Sequence, residues 1–323
     1  MTQMNGSTIV AVLGARWSLD IETEELAEYG VELVQNLGTT AEDIVNTARE
    51  AVAVLAGSPP KFDQGVLSQL PSLKIIARYG VGVDKIDVAA ARELGIMVTN
   101  LPDVFSEEVA THTVALILAT MRKIVQSHRL AVSGRWEVAP LKPFFSTEDQ
   151  VLGIVGLGNI GQGVARKAQG FGFEMLVYDP YLSPELLSQF DVTQVDLDEL
   201  LVRSDVVALT APHTEETHHI INAAALQKMK STALLVNTSR GSLIDEVALE
   251  EALEKGWIAG AGLDVMENEP VKAGRSILNS DKLTVTPHTA WYTEQAMERM
   301  RRQACQEVAR VLRGERPKNL VNP

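Results

Sequence analysis

A glycine-rich turn between an apolar run and a helical stretch is the feature that most constrains the fold of this chain. Residues 151–155 read VLGIV, a short strand pattern, and GLGNIG follows at 156–161, before a helix predicted over residues 162–170. In such a unit the glycines permit a tight turn, close approach of a pyrophosphate and close packing of helix on strand. Phosphate oxygens would then meet amides at the helix N-terminus. The predicted dinucleotide ligands are Gly156, Gly158, Asn159, Ile160 and Gly161.

An acidic residue completes this pattern at the end of the next apolar run. Residues 175–178 form that run, and Asp179 follows it, eighteen residues after Gly161. A carboxylate here can accept hydrogen bonds from both ribose hydroxyls of an adenosine. No Arg or Lys occupies positions 180–182, so nothing there would neutralise a 2′-phosphate. The sequence therefore favours NAD over NADP as the cofactor.

Strand and helix patterns alternate over the rest of this region, as in a parallel sheet. Strands are predicted at 206–209, 234–238, 258–263 and 283–286, and helices at 223–229 and 246–255. Ligands of such sheets bind beyond the carboxyl ends of the strands. The residues found there and predicted to bind the cofactor are Ala211, Pro212, Thr238, Ser239 and Asp264.

The first hundred residues repeat the pattern on a smaller scale and predict a second α/β domain. Apolar runs lie at 9–13, 53–56 and 74–77, and the last opens into RYGVGVD at 78–84. The amides of this glycine-flanked turn could form an anion-binding nest, with Arg78 beside it. The alternative is a plain βα turn whose glycines only permit a positive φ. An expected position facing the cofactor domain favours substrate binding by Arg78, Val81 and Gly82.

A long helix and two chain crossings predict the domain organisation. Residues 106–130 are predicted to form one apolar-rich helix that opens the cofactor domain. Pro102 and the WYTEQ stretch after His288 would be the crossings between domains, and a helix at 293–313 would complete the N-terminal domain. We therefore expect a substrate domain of residues 1–101 plus 291–323, and a cofactor domain of residues 102–290. A hinged cleft between them could close and exclude water.

Three side chains near the predicted carboxyl edge match the needs of 2-keto acid reduction. Arg240 can bind a carboxylate bidentately, and His288 can donate or accept a proton near neutral pH. Glu269 would favour the imidazolium and orient the ring, while Asp264 is placed to receive the nicotinamide carboxamide. Singly, each residue has a simpler interpretation as a solvated or structural group. Their collection on one edge favours a catalytic site.

Composition limits the other functions that the chain could have. Its 323 residues suit two domains, and 46% of them are apolar, yet no run approaches the length of a membrane span, and residues 1–8 lack the features of a signal peptide. The net charge of −13 argues against a nucleic-acid partner. The single cysteine, Cys305, suits a reducing compartment, so a cytoplasmic location is expected. His218 and His219 lack a third ligand at suitable spacing, so no metal site is expected.

Five segments resemble the D-isomer-specific 2-hydroxyacid dehydrogenases over essentially the whole chain: GLGNIG…YDP, NTSRG, GLDVMENEP, TPHTAW and RYGVGVDKID. The resemblance implies two doubly wound parallel-sheet α/β domains, namely a Rossmann NAD-binding domain that dimerises through its long helix and a flavodoxin-like, discontinuous catalytic domain. It implies a catalytic trio of Arg240, Glu269 and His288. It also implies that Asp179 and Asp264 bind NAD, that Ala211, Pro212 and Thr238 line the cofactor groove, and that the backbone of Val81 and Gly82 meets substrate or cofactor.

Two positions refine the resemblance. Trp291 resembles the branch that includes the C-terminal-binding proteins, where it would face the substrate pocket and pack on a larger 2-keto acid; it could equally be ordinary core between domains. Lys85 departs from the Asn common in the family's loop, which leaves the polarity of that loop open.

The expected function is NAD-dependent interconversion of a 2-keto acid and a D-2-hydroxy acid, in the reductase direction, by a homodimer. Two alternatives remain at this point: an NADH-responsive binding protein like the corepressors, and an oxidoreductase acting on another small anion.

Overall fold

The computed structural model describes residues 8–58 and 60–323. Within them the strands are β1 Thr8–Leu13, β2 Val31–Asn36, β3 Ala53–Ala56, β4 Ile75–Arg78, β5 Met97–Thr99, β6 Val151–Val155, β7 Glu174–Tyr178, β8 Thr193–Gln194, β9 Val206–Leu209, β10 Leu234–Asn237, β11 Gly260–Leu263 and β12 Leu283–Val285. The α-helices are α1 Asp20–Leu26, α2 Ala41–Ala48, α3 Gln64–Leu67, α4 Val88–Glu93, α5 Ser106–Met121, α6 Ile124–Val132, α7 Asn159–Ala168, α8 Pro184–Leu187, α9 Leu197–Arg203, α10 Ala223–Lys228, α11 Glu246–Lys255 and α12 Glu294–Leu312.

The chain divides into two structural units. The first contains the described residues up to Phe105 together with Tyr292–Pro323, and the second is Ser106–Trp291. Neighbouring strands in the sheet of each unit run parallel, which requires a crossover between successive strands and explains the alternation of helix and strand in the sequence.

The first unit has a five-stranded sheet in the order β2-β1-β3-β4-β5. This is the flavodoxin-like order of doubly wound folds. The strand β3 is buried along its whole length, as expected for a continuous apolar run covered on both faces. The C-terminal helix α12 packs on β3 and β4 and against α1, so the end of the chain completes the core of its beginning.

The second unit has a seven-stranded sheet in the order β12-β11-β10-β9-β6-β7-β8. Counted from β6, this is the Rossmann order with one further strand, and the direction of winding reverses between β6 and β9. The glycine turn follows β6 directly, so it lies at the switch point where such sheets bind ligands. The predicted fold class, two doubly wound parallel-sheet domains, is therefore confirmed.

The prediction of one helix over residues 106–130 was wrong. The helix α5 ends at Met121 and α6 begins at Ile124, because Lys123 between them has a left-handed backbone with φ of 48°. Eight residues of α5 are buried, whereas α6 has none. The chain thus leaves the core at the break, and the Lys123 ammonium donates a hydrogen bond to the Leu141 carbonyl at 2.7 Å.

Smaller differences concern the ends of elements. The helix α7 begins at Asn159, three residues earlier than predicted, and the strands β2, β5 and β8 were not predicted. Among the described residues, no helix combines the length and apolar character that crossing a membrane requires. The same residues contain no cluster of three or more His, Cys, Asp or Glu side chains that could hold a metal ion.

Candidate active site

The glycine turn after β6 is held by close packing at two of its three glycines. Gly156 has a φ of 93°, and a Cβ there would lie 2.7 Å from Cα of Ala211. A Cβ on Gly161 would lie 2.1 Å from the Gly156 carbonyl oxygen. Around Gly158, by contrast, a Cβ would meet no protein atom within 4 Å. The first and third glycines are therefore required by the protein itself, and the second leaves open space above the backbone.

The helix α7 begins directly after this open glycine. Gly158 is its N-cap and supplies no side-chain acceptor for the first-turn amides. Amides of a first helical turn have no acceptor within the helix, and the helix dipole favours an anion at that end. Open space and outward amides together fit a pyrophosphate. The residues present here thus fit a dinucleotide cofactor.

Asp179 is fixed beside the turn by two backbone amides. Its carboxylate accepts hydrogen bonds from the Leu157 amide at 2.8 Å and from the Tyr181 amide at 2.9 Å, one on each oxygen. A carboxylate has about four acceptor positions, so the two oxygens can still accept hydroxyl donors. The hydrogen bond from Leu157 joins Asp179 to the glycine turn and fixes the distance between them.

Arg240 follows β10 on a turn closed by the side chain of Asn237. The Asn237 amide nitrogen donates to the Arg240 carbonyl at 2.8 Å, and its oxygen accepts from the Ser239 amide at 3.0 Å. A Cβ on the next residue, Gly241, would lie 1.9 Å from the carbonyl carbon of Met266. Only glycine permits this approach, and it brings the Arg240 turn against the loop that carries Glu269.

Glu269 lies in the loop after β11, and a backbone amide of the same loop holds its side chain. The Met266 amide donates to one carboxylate oxygen of Glu269 at 2.9 Å. The other oxygen lies 2.6 Å from Nδ1 of His288. Burial alone would raise the pKa of Glu269, but these two hydrogen bonds and the nearby charges of His288 and Arg240 lower it below its ordinary value. The carboxylate is therefore charged at neutral pH.

His288 has a left-handed backbone, with φ of 53°. Its amide donates to the carbonyl oxygens of Asp264 at 2.8 Å and Thr286 at 3.0 Å, and its own carbonyl accepts from the Trp291 indole at 2.9 Å. Because Nδ1 faces Glu269, Nε2 is the ring nitrogen that can exchange a proton with a substrate. The side chain is 44% exposed, so a substrate can reach it.

Asp264 lies beneath this turn with a side chain that is 1% exposed. One carboxylate oxygen accepts from the Thr286 hydroxyl at 2.6 Å and the Thr289 amide at 2.9 Å, and the other accepts from the Ala290 amide at 2.9 Å. Most of its acceptor capacity therefore holds the His288 turn. The contact with nicotinamide expected from the sequence stays a prediction.

In the first unit, the loop after β4 turns its carbonyl groups inward. The carbonyls of Gly80, Val81 and Gly82 accept from the Leu101 amide at 2.9 Å, the Asn100 side chain at 2.8 Å and the Arg78 Nε at 3.1 Å. Gly80 adopts a φ of 138°. The groups that this loop can offer to an anion are therefore the amides of Val81 and Gly82.

The described contacts of the Arg78 guanidinium are with backbone carbonyls. Besides Gly82, it donates to Ala56 at 3.1 Å and to Tyr79 at 2.6 Å. These contacts fit a residue that shapes the loop. Direct substrate binding by Arg78 stays a prediction.

The second unit thus brings most of the predicted site residues to one sheet edge. Ala211 is buried and touches the glycine turn, Pro212 is exposed beside it, and Thr238 is buried with its hydroxyl 2.6 Å from that of Thr113. Sequence analysis did not single out Thr113 or its neighbour His112, whose Nε2 lies 2.9 Å from the Thr286 hydroxyl. The signal available was the run Thr111-His112-Thr113, three polar residues between apolar stretches of the helix.

Comparison with known proteins gives the family. The profile of the D-isomer specific 2-hydroxyacid dehydrogenase NAD-binding domain matches residues 114–290. A glyoxylate reductase of Korarchaeum cryptofilum is 40% identical over 282 residues, 86% of this chain and 85% of that protein. A D-3-phosphoglycerate dehydrogenase of Methanocaldococcus jannaschii is 38% identical over 308 residues, 93% of this chain and 58% of that protein.

A solved structure is similar along nearly the entire chain. The D-lactate dehydrogenase of Aquifex aeolicus, complexed with NAD and lactic acid, has a TM-score of 0.89 at 28% identity and covers 97% of this chain and 99% of its own. The chain therefore belongs to the D-isomer specific 2-hydroxyacid dehydrogenase family. Within that family it is an NAD-dependent D-2-hydroxyacid dehydrogenase.

Proposed function

We propose that this enzyme reduces a small 2-keto acid to the D-2-hydroxy acid at the carboxyl edge of the seven-stranded sheet. The observation that carries the proposal is the 2.6 Å contact between Nδ1 of His288 and Glu269, beside the charge of Arg240. This arrangement supplies a proton donor and a carboxylate-binding cation in one place. The names of the relatives, which include glyoxylate reductase and D-lactate dehydrogenase, favour a small 2-keto acid.

In this proposal Arg240 binds the substrate carboxylate with its planar guanidinium, which fixes both position and orientation. His288 donates the proton on Nε2 to the carbonyl oxygen as negative charge develops there. Glu269 holds the ring through Nδ1 and stabilises the protonated imidazole before the transfer. NADH, when bound, supplies the hydride. The protein thus provides charge, orientation and one proton at a defined atom.

The other predicted contacts form part of the same proposal. Gly156, Gly158, Asn159, Ile160 and Gly161 hold the pyrophosphate, Asp179 the adenosine ribose, and Ala211, Pro212, Thr238, Ser239 and Asp264 the remainder of the cofactor. Val81 and Gly82 offer amides to the substrate, and Trp291, whose indole nitrogen is occupied by the His288 carbonyl, can offer only its ring. The substrate and cofactor domains would be the first and second units. The cytoplasmic location expected from the sequence stays a prediction.

We further propose that the second unit forms a homodimer through α6 and the segment that follows it. This surface exposes Ile124, Val132, Trp136, Val138 and Phe145. It borders a cavity of about 540 Å³ at the amino ends of the strands, the edge opposite the glycine turn. Exposed apolar side chains collected in one segment in this way favour a protein interface. A second copy is the favoured occupant because the resemblance implies dimerisation through this domain.

The proposal is tested by following NADH absorbance with a panel of 2-keto acids that runs from glyoxylate and pyruvate to larger side chains. We expect oxidation of NADH with at least one acid. The variant H288N should lose at least ~100-fold in kcat while still binding NADH in calorimetry. The variant R240A should lose both affinity for the acid and turnover, because the substrate carboxylate loses its cation.

Two results would contradict these roles. Tight NADH binding without oxidation by any acid would instead favour an NADH-responsive binding protein. Brisk reduction by H288N would remove the proton donor from the proposal.

A further inference from the structure

A second histidine lies behind the proposed proton donor. His112 is in the middle of α5, and its side chain is 25% exposed. Its Nε2 is 2.9 Å from the hydroxyl oxygen of Thr286 and 3.5 Å from the nearer carboxylate oxygen of Asp264. The imidazole therefore lies beside the carboxylate that holds the His288 turn.

The direction of these hydrogen bonds shows that Nε2 of His112 carries a hydrogen. The Thr286 hydroxyl donates its single proton to Asp264, at 2.6 Å, since a carboxylate can only accept. The hydroxyl oxygen must then accept from His112, so Nε2 carries a hydrogen. A chain results in which His112 donates to Thr286 and Thr286 donates to Asp264.

This series of hydrogen bonds ends on the backbone at His288 and at the two residues that follow it. Asp264 accepts from the amides of Thr289 and Ala290, while its own carbonyl accepts from the His288 amide. A left-handed backbone is strained at a non-glycine residue and persists only when its surroundings determine it. The three donors to the Asp264 carboxylate restrict how it can rotate, and so restrict the turn.

We propose that His112 is a positioning residue for the proton donor, acting through Thr286 and Asp264 on the turn that carries His288. The inference rests on the proposed role of His288 in proton transfer. His112 touches neither reacting atom. It sets the direction in which the imidazole of His288 points its Nε2.

The neighbouring residue extends this function to the carboxylate-binding side of the site. The Thr113 hydroxyl lies 2.6 Å from that of Thr238, which lies within the Arg240 turn, two residues before Arg240. Adjacent positions of α5 therefore contact the two loops that carry the cation and the proton donor. The helix acts as a common support that fixes the distance between them.

The test compares H112F, H112Q and T286V with the parent enzyme, and uses T111V as a matched control in the same helix turn. Thr111 is exposed, and its hydroxyl donates only within its own helix, to the Glu107 carbonyl. We expect H112F to lower kcat by ~10-fold, because small displacements of a reacting group are costly. Its solvent deuterium isotope effect should rise, since a misdirected proton donor makes proton transfer more rate-limiting. Glutamine can place an N–H donor near the position of Nε2, so H112Q should recover most of kcat.

Coupling gives a second measurement. The effects of H112F and T286V on kcat should be far from additive, because both changes interrupt one hydrogen-bonded chain. Additive losses, or a loss in H112F without a change in isotope effect and without recovery in H112Q, would show that His112 only fills space.

The inference and the proposed function fail separately. Wild-type kcat and isotope effect in H112F, together with an inactive H288N, would overturn the inference alone. Retained turnover in H288N would overturn the proton-donor role on which the inference rests.

Discussion

At the scale of single residues, the exposed imidazole of His288 owes its orientation to backbone contacts. Its left-handed φ of 53° is unfavourable in isolation, yet its amide and carbonyl are both hydrogen-bonded and the two following amides are held by Asp264. A side chain open to substrate can thus keep one direction. Glu269 adds the last constraint, at Nδ1.

The variant E269Q should change the pH dependence of reduction. The pKa of Glu269 is lowered, since the hydrogen bonds from His288 and the Met266 amide outweigh the effect of burial. The carboxylate therefore stays charged throughout the neutral range and stabilises the proton on His288. The neutral amide of E269Q removes that attraction, so the alkaline limb of kcat/KM for reduction should move to lower pH.

The measurement is kcat/KM for the keto acid between pH 5 and pH 9. Glu267 is a suitable control, because its carboxylate contacts His219 instead of His288. The profile of E267Q should match that of the parent enzyme. A profile of E269Q that also matches would make Glu269 a structural residue.

Sequence reasoning could propose three candidate site residues, but it could not give the contacts that place them. The positions of Arg240, Glu269 and His288 after predicted strands follow from periodicity. The function of Gly241 depends on a backbone 25 residues later in the chain. The three donors to Asp264 come from Thr286, Thr289 and Ala290, and His112 contacts the first of these from a different element. Such contacts exist only once the sheet has formed, so no local pattern records them.

At the scale of elements, the turn between β6 and α7 contains one glycine that packing requires, Gly161, and one that we propose ligand binding requires, Gly158. A methyl group on Gly161 would lie 2.1 Å from a carbonyl oxygen, whereas a methyl group on Gly158 would meet no protein atom. We expect G161A to destabilise the protein by ~1–3 kcal/mol through overpacking. In contrast, G158A should fold with nearly parental stability and lose affinity for NADH, because its methyl group occupies the space proposed for the pyrophosphate.

Thermal unfolding without cofactor and calorimetric titration with NADH distinguish the two effects. Parental affinity for NADH in G158A would place the pyrophosphate elsewhere.

A buried ion pair links α1 to α12 and predicts how the first unit responds to acid. Glu22 has no exposed surface, and its carboxylate accepts from Arg301, from the Tyr79 hydroxyl at 2.7 Å and from the Trp17 indole at 3.1 Å. Burial raises the pKa of Glu22, but these donors outweigh it and the net shift is downward. The contribution of charged Glu22 to the free energy of unfolding is therefore fully present above the ordinary pKa of a glutamate. It is lost as the pH falls through the lowered pKa of Glu22 in the folded protein.

The variant E22Q should be less stable than the parent at pH 7, by about 2 kcal/mol, because hydrogen bonds to a charged group become neutral ones. Its stability should also fall less steeply between pH 5 and pH 3. Denaturant unfolding at several pH values measures both effects, with E50Q as an exposed control. Parallel pH curves for E22Q and the parent protein would mean that Glu22 does not control acid stability.

Element prediction succeeded where an apolar run was clearly bounded by turn residues, and failed where the pattern was mixed or short or where the backbone changed direction. The residues of β6 and β9 agree with prediction because each is a short apolar run bounded by turn residues. The strand β2 carries polar residues among its apolar ones, and β5 has only three residues, so neither gave a clear pattern. The break at Lys123 has no glycine or proline to mark it, and it depends on where the core ends.

At the scale of the whole molecule, the fold class could be predicted because one rule applies to both units. Parallel strands need crossovers, so each unit repeats strand and helix along the chain. The strand orders, 2-1-3-4-5 in one sheet and the Rossmann order in the other, could not be read from periodicity. They entered the prediction only through the resemblance of short motifs to a known family.

Oligomeric state is the remaining property of the whole molecule that the surface predicts. Trp136 is 91% exposed, and a lone monomer would leave it in water together with Val132, Val138 and Phe145. If α6 and the following segment form the dimer interface, a charge at position 136 should oppose association, since it would be buried without a partner. We expect W136E to sediment as a monomer at concentrations where the parent protein is a dimer. The control is V247E, because Val247 is also highly exposed, at 75%, but lies on α11, away from this surface. Unchanged sedimentation of W136E, or an equal change in V247E, would show that the dimer does not form through this segment.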